Sequence, residues 1–175
     1  MLRQTSLLGA LVVGGIALGQ SSAGFQEQLS DYLKLRKTAV DQLPKLKSTS
    51  SAEALTERQG LVAAGIQMAR AGAAQGTIFT PEVAQEFRQF GKQAMEGRKG
   101  KRVRRSLAHS EPVQATIRVN QPYPRGVPLQ SMPPTLLKGL PKLPKELEYR
   151  LVSRTLVLRD VEANLIVDYL PEAIP

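Results

Sequence analysis

The stretch YRLVSRTLVLRDVEANLIVDYLPEAIP, Tyr149–Pro175, decides the fold. Leu147, Tyr149 and Leu151 alternate with Glu148 and Arg150, the period of a strand with one buried face. In TLVLRD, Leu156 and Leu158 alternate with Val157 and Arg159, and LIVDYL makes a third run. Ser153 and Arg154 separate the first two runs, while Asp160 to Asn164 has turn formers at both ends. The pattern predicts a meander of three antiparallel strands. Ser-Arg lacks the glycine or asparagine that two-residue hairpin turns favour, so the turn chemistry does not set the first register.

Working outward, VQATIRVN (Val113–Asn120) places Val113, Ala115, Ile117 and Val119 on one face and reads as a further strand able to join the meander. Between it and the tail lies QPYPRGVPLQSMPPTLLKGLPKLPKELEY, with seven of the twelve prolines. Proline fixes φ and removes a donor, so this stretch reads as an irregular connector with one short helical turn at Thr135 to Leu140. The same segment, with its Pro-Lys-Leu-Pro, is a candidate ligand for a partner groove.

Three helices precede it. Phe25, Leu29, Tyr32, Leu33, Val40 and Leu43 recur near the helical period until Pro44. Ser51 can cap a second helix with a Leu55, Val62, Ile66 and Ala69 stripe, although its glycines weaken it. Thr80-Pro81-Glu82 is an N-cap, a first-position proline and a dipole-matched acid, opening a helix that aligns Val83, Phe87, Phe90 and Ala94. A fourth short helix through Leu107 can hold the basic run.

Charge narrows the field of partners. The chain has 24 basic and 15 acidic residues, a balance of +9. Without Arg3, which belongs to the leader described below, 23 basic residues give +8; six of them lie in RKGKRVRR, so the rest carries only +2. Arg98, Lys99, Lys101, Arg102, Arg104 and Arg105 are therefore the candidate anion-binding residues, against the alternative of a solvated helix face or connector. No aromatic residue interleaves with them, which argues against nucleic acid as the partner.

MLRQTSLLGALVVGGIALGQSSAG has the layout of an export signal: Arg3, an uncharged Leu7–Leu18 core, and small residues at Ser21 to Ala23. The apolar core is shorter than the ~20 residues a span requires, which favours a cleaved leader over a membrane anchor, and cleavage after Ala23 leaves a mature chain with no membrane-spanning run. Absence of cysteine excludes disulfides, thiolate chemistry and lipidation of the leader.

Enzymatic signatures are sparse. His109 is the one histidine, which excludes multi-histidine metal sites and leaves a solvated surface histidine as the plain reading. No GxSxG, GxxxxGK[ST] or GxGxxG context occurs, so neither cofactor nor metal is expected. Asp160, Glu162 and Asp168 remain as carboxylate candidates for general acid–base work of the glycosidase kind, which requires two carboxyls facing one cleft. A hard-cation site of Asp160, Glu162 and the Asn164 carbonyl lacks the alternating pattern of a calcium loop. Against chemistry, Asp160 opens a turn whose amides it can accept from, and Asp168 falls on the wet face of a strand.

Four blocks, QGTIFTPEVAQEFR, IRVNQPYPRGVPLQ, PPTLLKGLPKLPKELEYR and LVLRDVEANLIVDYLPEAIP, resemble those of a family of exported bacterial proteins of unknown function. The resemblance covers nearly the whole mature chain and implies export and a common fold, but no activity. In that family an acidic residue commonly follows QG, where this chain has Thr77, and glycine is common where it has Ser153. The tail is also loosely similar to the small C-terminal sheet of periplasmic nickel/cobalt-homeostasis proteins, without the histidines that metal handling would use.

The resulting expectation is an α+β protein. A leader spans 1–23, a helical layer of three to four helices spans 24–110, and a Pro-rich connector and antiparallel β-meander span 111–175, packed with the helices as one domain. The expected role is a periplasmic or secreted, non-enzymatic protein that binds an envelope protein or an anionic surface. The alternative is a carboxylate-dependent hydrolase acting on envelope glycan.

Overall fold

The computed structural model describes residues 23–45, 51–108, 115–127 and 132–175. The leader up to Ser22, His109 and the start of the Val113–Asn120 run lie outside the described residues. The fold is α+β, with the helices N-terminal to a three-stranded antiparallel sheet.

Helix α1 (Ala23–Asp41) buries Phe25, Leu29, Tyr32, Arg36 and Ala39, spaced four, three, four, three so that all lie on one face. Helix α2 (Ala52–Ala69) starts at Ser51, whose hydroxyl accepts from the Ala54 N–H at 3.3 Å. Val62 and Ile66 are buried, but Leu55 and Ala69, expected in the same stripe, are exposed. The cause is position: α2 lies chiefly against α1 as an outer helix, so only the middle of its stripe reaches the core. Helix α3 (Pro81–Ala94) is capped by Thr80, which accepts from the Val83 N–H, and buries Val83, Ala84, Phe87 and Gly91. The rings of Phe25, Phe79 and Phe87 pack together with centroids 5.0–6.0 Å apart. Helix α4 (Gly97–Ala108) contains the basic run, and α5 (Pro134–Leu137) is the short turn foreseen in the connector.

Strands β1 (Leu147–Val152), β2 (Thr155–Asp160) and β3 (Leu165–Leu170) pair in chain order. Val152 pairs with Thr155, so Ser153 and Arg154 do form a two-residue turn. Its geometry is made by Ser153 at φ +53°, with a left-handed first central residue as in type II′ turns. Between β2 and β3 the register slips: Leu158 pairs with Asp168 but Arg159 with Ile166, leaving Val167 as the extra residue of a bulge. The bulge turns Asp168 to the same side as Leu156, Leu158 and Asp160. That side meets the helices, and one hydrophobic core runs from α1, α2 and α3 through Val103 of α4 to Leu147, Leu151, Leu158 and Leu170.

The opposite side of the sheet is covered too. Val152, Val157 and Ile166 pack with Tyr123, Ile117 and Val127 of the connector in a second, smaller cluster. The expected strand at Val113–Asn120 does not form among its described residues: Ala115–Arg118 are irregular and Val119-Asn120 is a turn. Pairing with β3 begins only at the last residue of that run. The Asn120 N–H donates to the Ile166 carbonyl, Ile166 N–H to the Gln121 carbonyl and Tyr123 N–H to the Asn164 carbonyl, at 2.8–2.9 Å. Asn120 sits at φ +59°, which redirects the chain, and Pro122 and Pro124 have no N–H to continue a ladder.

Candidate functional site

Asp160, Glu162 and Asp168 do not converge on a cleft. Asp160 closes β2 and is wholly buried. Its Oδ1 accepts from the Ala163 N–H at 2.9 Å, the turn bond foreseen for it. Its Oδ2 accepts from Arg36 Nε at 2.6 Å and from the Tyr32 hydroxyl at 2.8 Å, both on α1. Burial, then the charge and hydrogen bond of Asp160, push the Tyr32 phenol far above its ordinary range, so it stays a donor. Arg36 extends the network outward, donating through Nη2 to Glu162 at 2.7 Å, and Glu162 also receives Arg58 Nε at 3.2 Å. Burial opposes the charge of Glu162, but the Arg36 and Arg58 hydrogen bonds outweigh it and hold its carboxyl below the ordinary value. The proposed cation ligands are thus engaged by protein donors, since the Asn164 carbonyl accepts from Tyr123. Among the described residues no group of three or more His, Asp or Glu side chains is arranged to hold a metal ion.

Asp168 corrects the expectation of a wet strand face, for it is wholly buried. The covered inner face of the sheet and the Val167 bulge put it there. Its Oδ1 accepts from the Gly76 N–H at 3.0 Å and from its neighbour Tyr169 N–H at 2.8 Å. Its Oδ2 accepts from the N–H groups of Ile78 and Phe79, both at 2.8 Å. Gly76 at φ +86° lets the α2–α3 loop curl its amides toward one point, the concavity that binds anions elsewhere in proteins. Here the anion is the protein's own.

Two further arginines fasten the structure. Arg70, buried at the end of α2, lies over the Tyr32 ring at 5.2 Å and donates to the Val167 carbonyl at 3.0 Å and Asn120 Oδ1 at 3.2 Å. Arg159 on the outer face lies over the Tyr123 ring at 5.7 Å, donates to Asn164 Oδ1 at 2.8 Å, and pairs with Glu148, which also receives Arg150. Burial opposes the Glu148 charge as well, and the two arginines again overcome it, lowering its pKa. Sequence reasoning missed Tyr32, Arg36, Arg58 and Arg70 as polar partners. The available signal was a cation at the fourth place of the α1 stripe, and another four residues beyond Ile66.

The basic run is a two-faced helix. Gly100, Val103 and Leu107 face inward, with Val103 buried and Gly100 packed against the Met95 main chain, which leaves no room for a Cβ. Arg98, Lys101, Arg102 and Arg105 are exposed along one stripe at i, i+3, i+4 and i+7. Arg104, also exposed, donates to the Met95 carbonyl, and the Lys99 side chain lies outside the described part. Among the described residues, no salt bridge joins Arg98, Lys101 or Arg102 to a carboxylate. The structure therefore brings four of the six candidate cations onto one surface and separates them from the three acids, which serve the interior or its rim. No helix of the described residues is long and apolar enough to cross a membrane.

Compared with known proteins, the chain matches no family model, no curated protein and no solved structure.

Proposed function

We propose that this is an exported, non-enzymatic protein of the bacterial envelope that binds an anionic partner through the exposed face of α4. The observation behind this reading is a division of charge. Asp160 and Asp168 use their oxygens on internal donors from α1 and from the α2–α3 loop, which leaves them no approach to a substrate. The excess positive charge stands instead on one solvent-facing helix. The leader-like N-terminus and the resemblance to exported bacterial proteins support export.

Two measurements test it. Expressed in a bacterial host, the protein should be recovered from the periplasm or medium with Gly24 as its first residue, as mass spectrometry of the intact chain would show; an intact leader on a cytoplasmic product would refute export. Replacing Arg98, Lys101, Arg102 and Arg105 with Gln should abolish salt-sensitive capture of envelope components. Turnover of envelope glycan by the wild type, lost in a stably folded Asp160→Asn variant, would establish the hydrolase instead.

A further inference from the structure

We propose that α4 seats the protein on an anionic phospholipid surface. This rests on the reading of α4 as a binding face and names its ligand. The inward stripe of Gly100, Val103 and Leu107 fixes the rotation of the helix, so its four cations project together from the body. From Arg98 to Arg105 the row is about 10 Å long at the α-helical rise. The four side chains stand exposed to solvent. The gap of about 20 Å³ lies between α3, α5 and the β1–β2 hairpin, and the groove of about 530 Å³ lies along α1 against Lys142 to Pro144. Neither of these two is lined by α4, and an exposed row of this length suits a laterally extended ligand.

The row is also locally unfavourable. Arg98 faces Lys101 and Arg102, and the positive end of the helix dipole adds to the repulsion at Arg98. A layer of phosphates relieves both terms, and arginine, three of the four, matches phosphate oxygens bidentately. A lipid surface is favoured over a soluble polyanion by the neighbour of α4. Helix α5 packs against it and exposes Leu137, half accessible to solvent, followed by exposed Lys138. An exposed apolar side chain on the helix packed against the cationic one is the composition of an interfacial membrane contact, where apolar insertion and attraction to acidic lipid act together.

The test is co-sedimentation of the full chain with vesicles of phosphatidylglycerol and phosphatidylcholine, against phosphatidylcholine alone. Binding should require the acidic lipid and decline with salt. Changing Arg98, Lys101, Arg102 and Arg105 to Gln should weaken it by several hundredfold, at about fivefold per cation. Thermal unfolding should show the variant still folded. A control with Lys34, Lys37, Lys45 and Lys142 changed to Gln removes the same charge elsewhere and should retain most binding; equal loss in both would reduce the effect to net charge and overturn the proposal. Wild type that ignores the vesicles but binds long-chain inorganic polyphosphate through α4 would also overturn it, while leaving α4 as an anion-binding face. Wild type that binds neither, and captures nothing from envelope extract, would remove both readings.

Discussion

Asp168 fills a ring of four main-chain N–H groups, and that is why a carboxylate is tolerated at the centre of this protein. Replacing it with Asn keeps the shape but turns an acceptor into a donor facing amides that already donate. Asp160→Asn does the same before Arg36 and Tyr32, leaving a buried guanidinium short of its counter-charge. Breaking buried pairs of this kind costs on the order of 3–5 kcal/mol. Urea denaturation should therefore show both variants destabilised by about 3 kcal/mol or more, with the loss shared by Arg36→Met. These residues were only half legible in the sequence. The Asp160 turn bond followed from its position before the Val161–Asn164 turn. The burial of Asp168 did not, because alternation counted across LIVDYL assigns it to one face, and a bulge changes the count by one. Arg36 was passed over since a cation on an apolar stripe has no local explanation; its partner is 124 residues away.

At the scale of elements, local chemistry was a good guide. Ser51 and Thr80 cap the helices they were expected to cap, and the three strands pair in the anticipated order. Departures occur where tertiary contacts decide. Alternation at Val113–Asn120 matched a strand, yet the prolines that follow restrict pairing to a bridge and a few bonds. The tight turn with an unfavoured pair is real, and it holds Ser153 in left-handed backbone. Ser153→Gly should relieve a conformational cost of about 1 kcal/mol and raise the thermal midpoint. Helix α4 gives a prediction of mixed sign. Arg98→Glu places an acid at the positive end of the dipole and opposite Arg102, which should stabilise the fold by roughly 0.5–1 kcal/mol. The same change should weaken vesicle binding, so the unfolding midpoint and the sedimented fraction should move in opposite directions.

Across the whole molecule, the two rim carboxylates contribute to the response to acid. Glu148 and Glu162 are held below the ordinary value of 4.5 by the arginines around them, against the effect of burial. A depressed folded-state pKa contributes stability that is complete above 4.5 and is lost as pH falls through the lower folded value. Stability measured from pH 6 to pH 2 should thus be level at first and decline below about 4.5, and a Glu148→Gln, Glu162→Gln double variant should begin lower and decline less steeply over that span. Both carboxylates anchor arginines of separate layers: Arg36 and Arg58 from the helices, Arg150 and Arg159 from the outer face of the sheet.

The latches also impose an order of assembly. Tyr32 and Arg36 meet Asp160 across 128 and 124 residues, and the amides of Ile78 and Phe79 meet Asp168 across 90 and 89. Contacts of such separation are slow to form because chain closure precedes any reward. A chain delivered from its N-terminus presents the helices first, with two buried arginine positions and a curled loop that lack their counter-charges until β2 and β3 arrive. The helical half cannot complete its core alone. Were the chain exported unfolded, as the proposed function requires, a fold that locks only with its C-terminal strands would postpone its own closure.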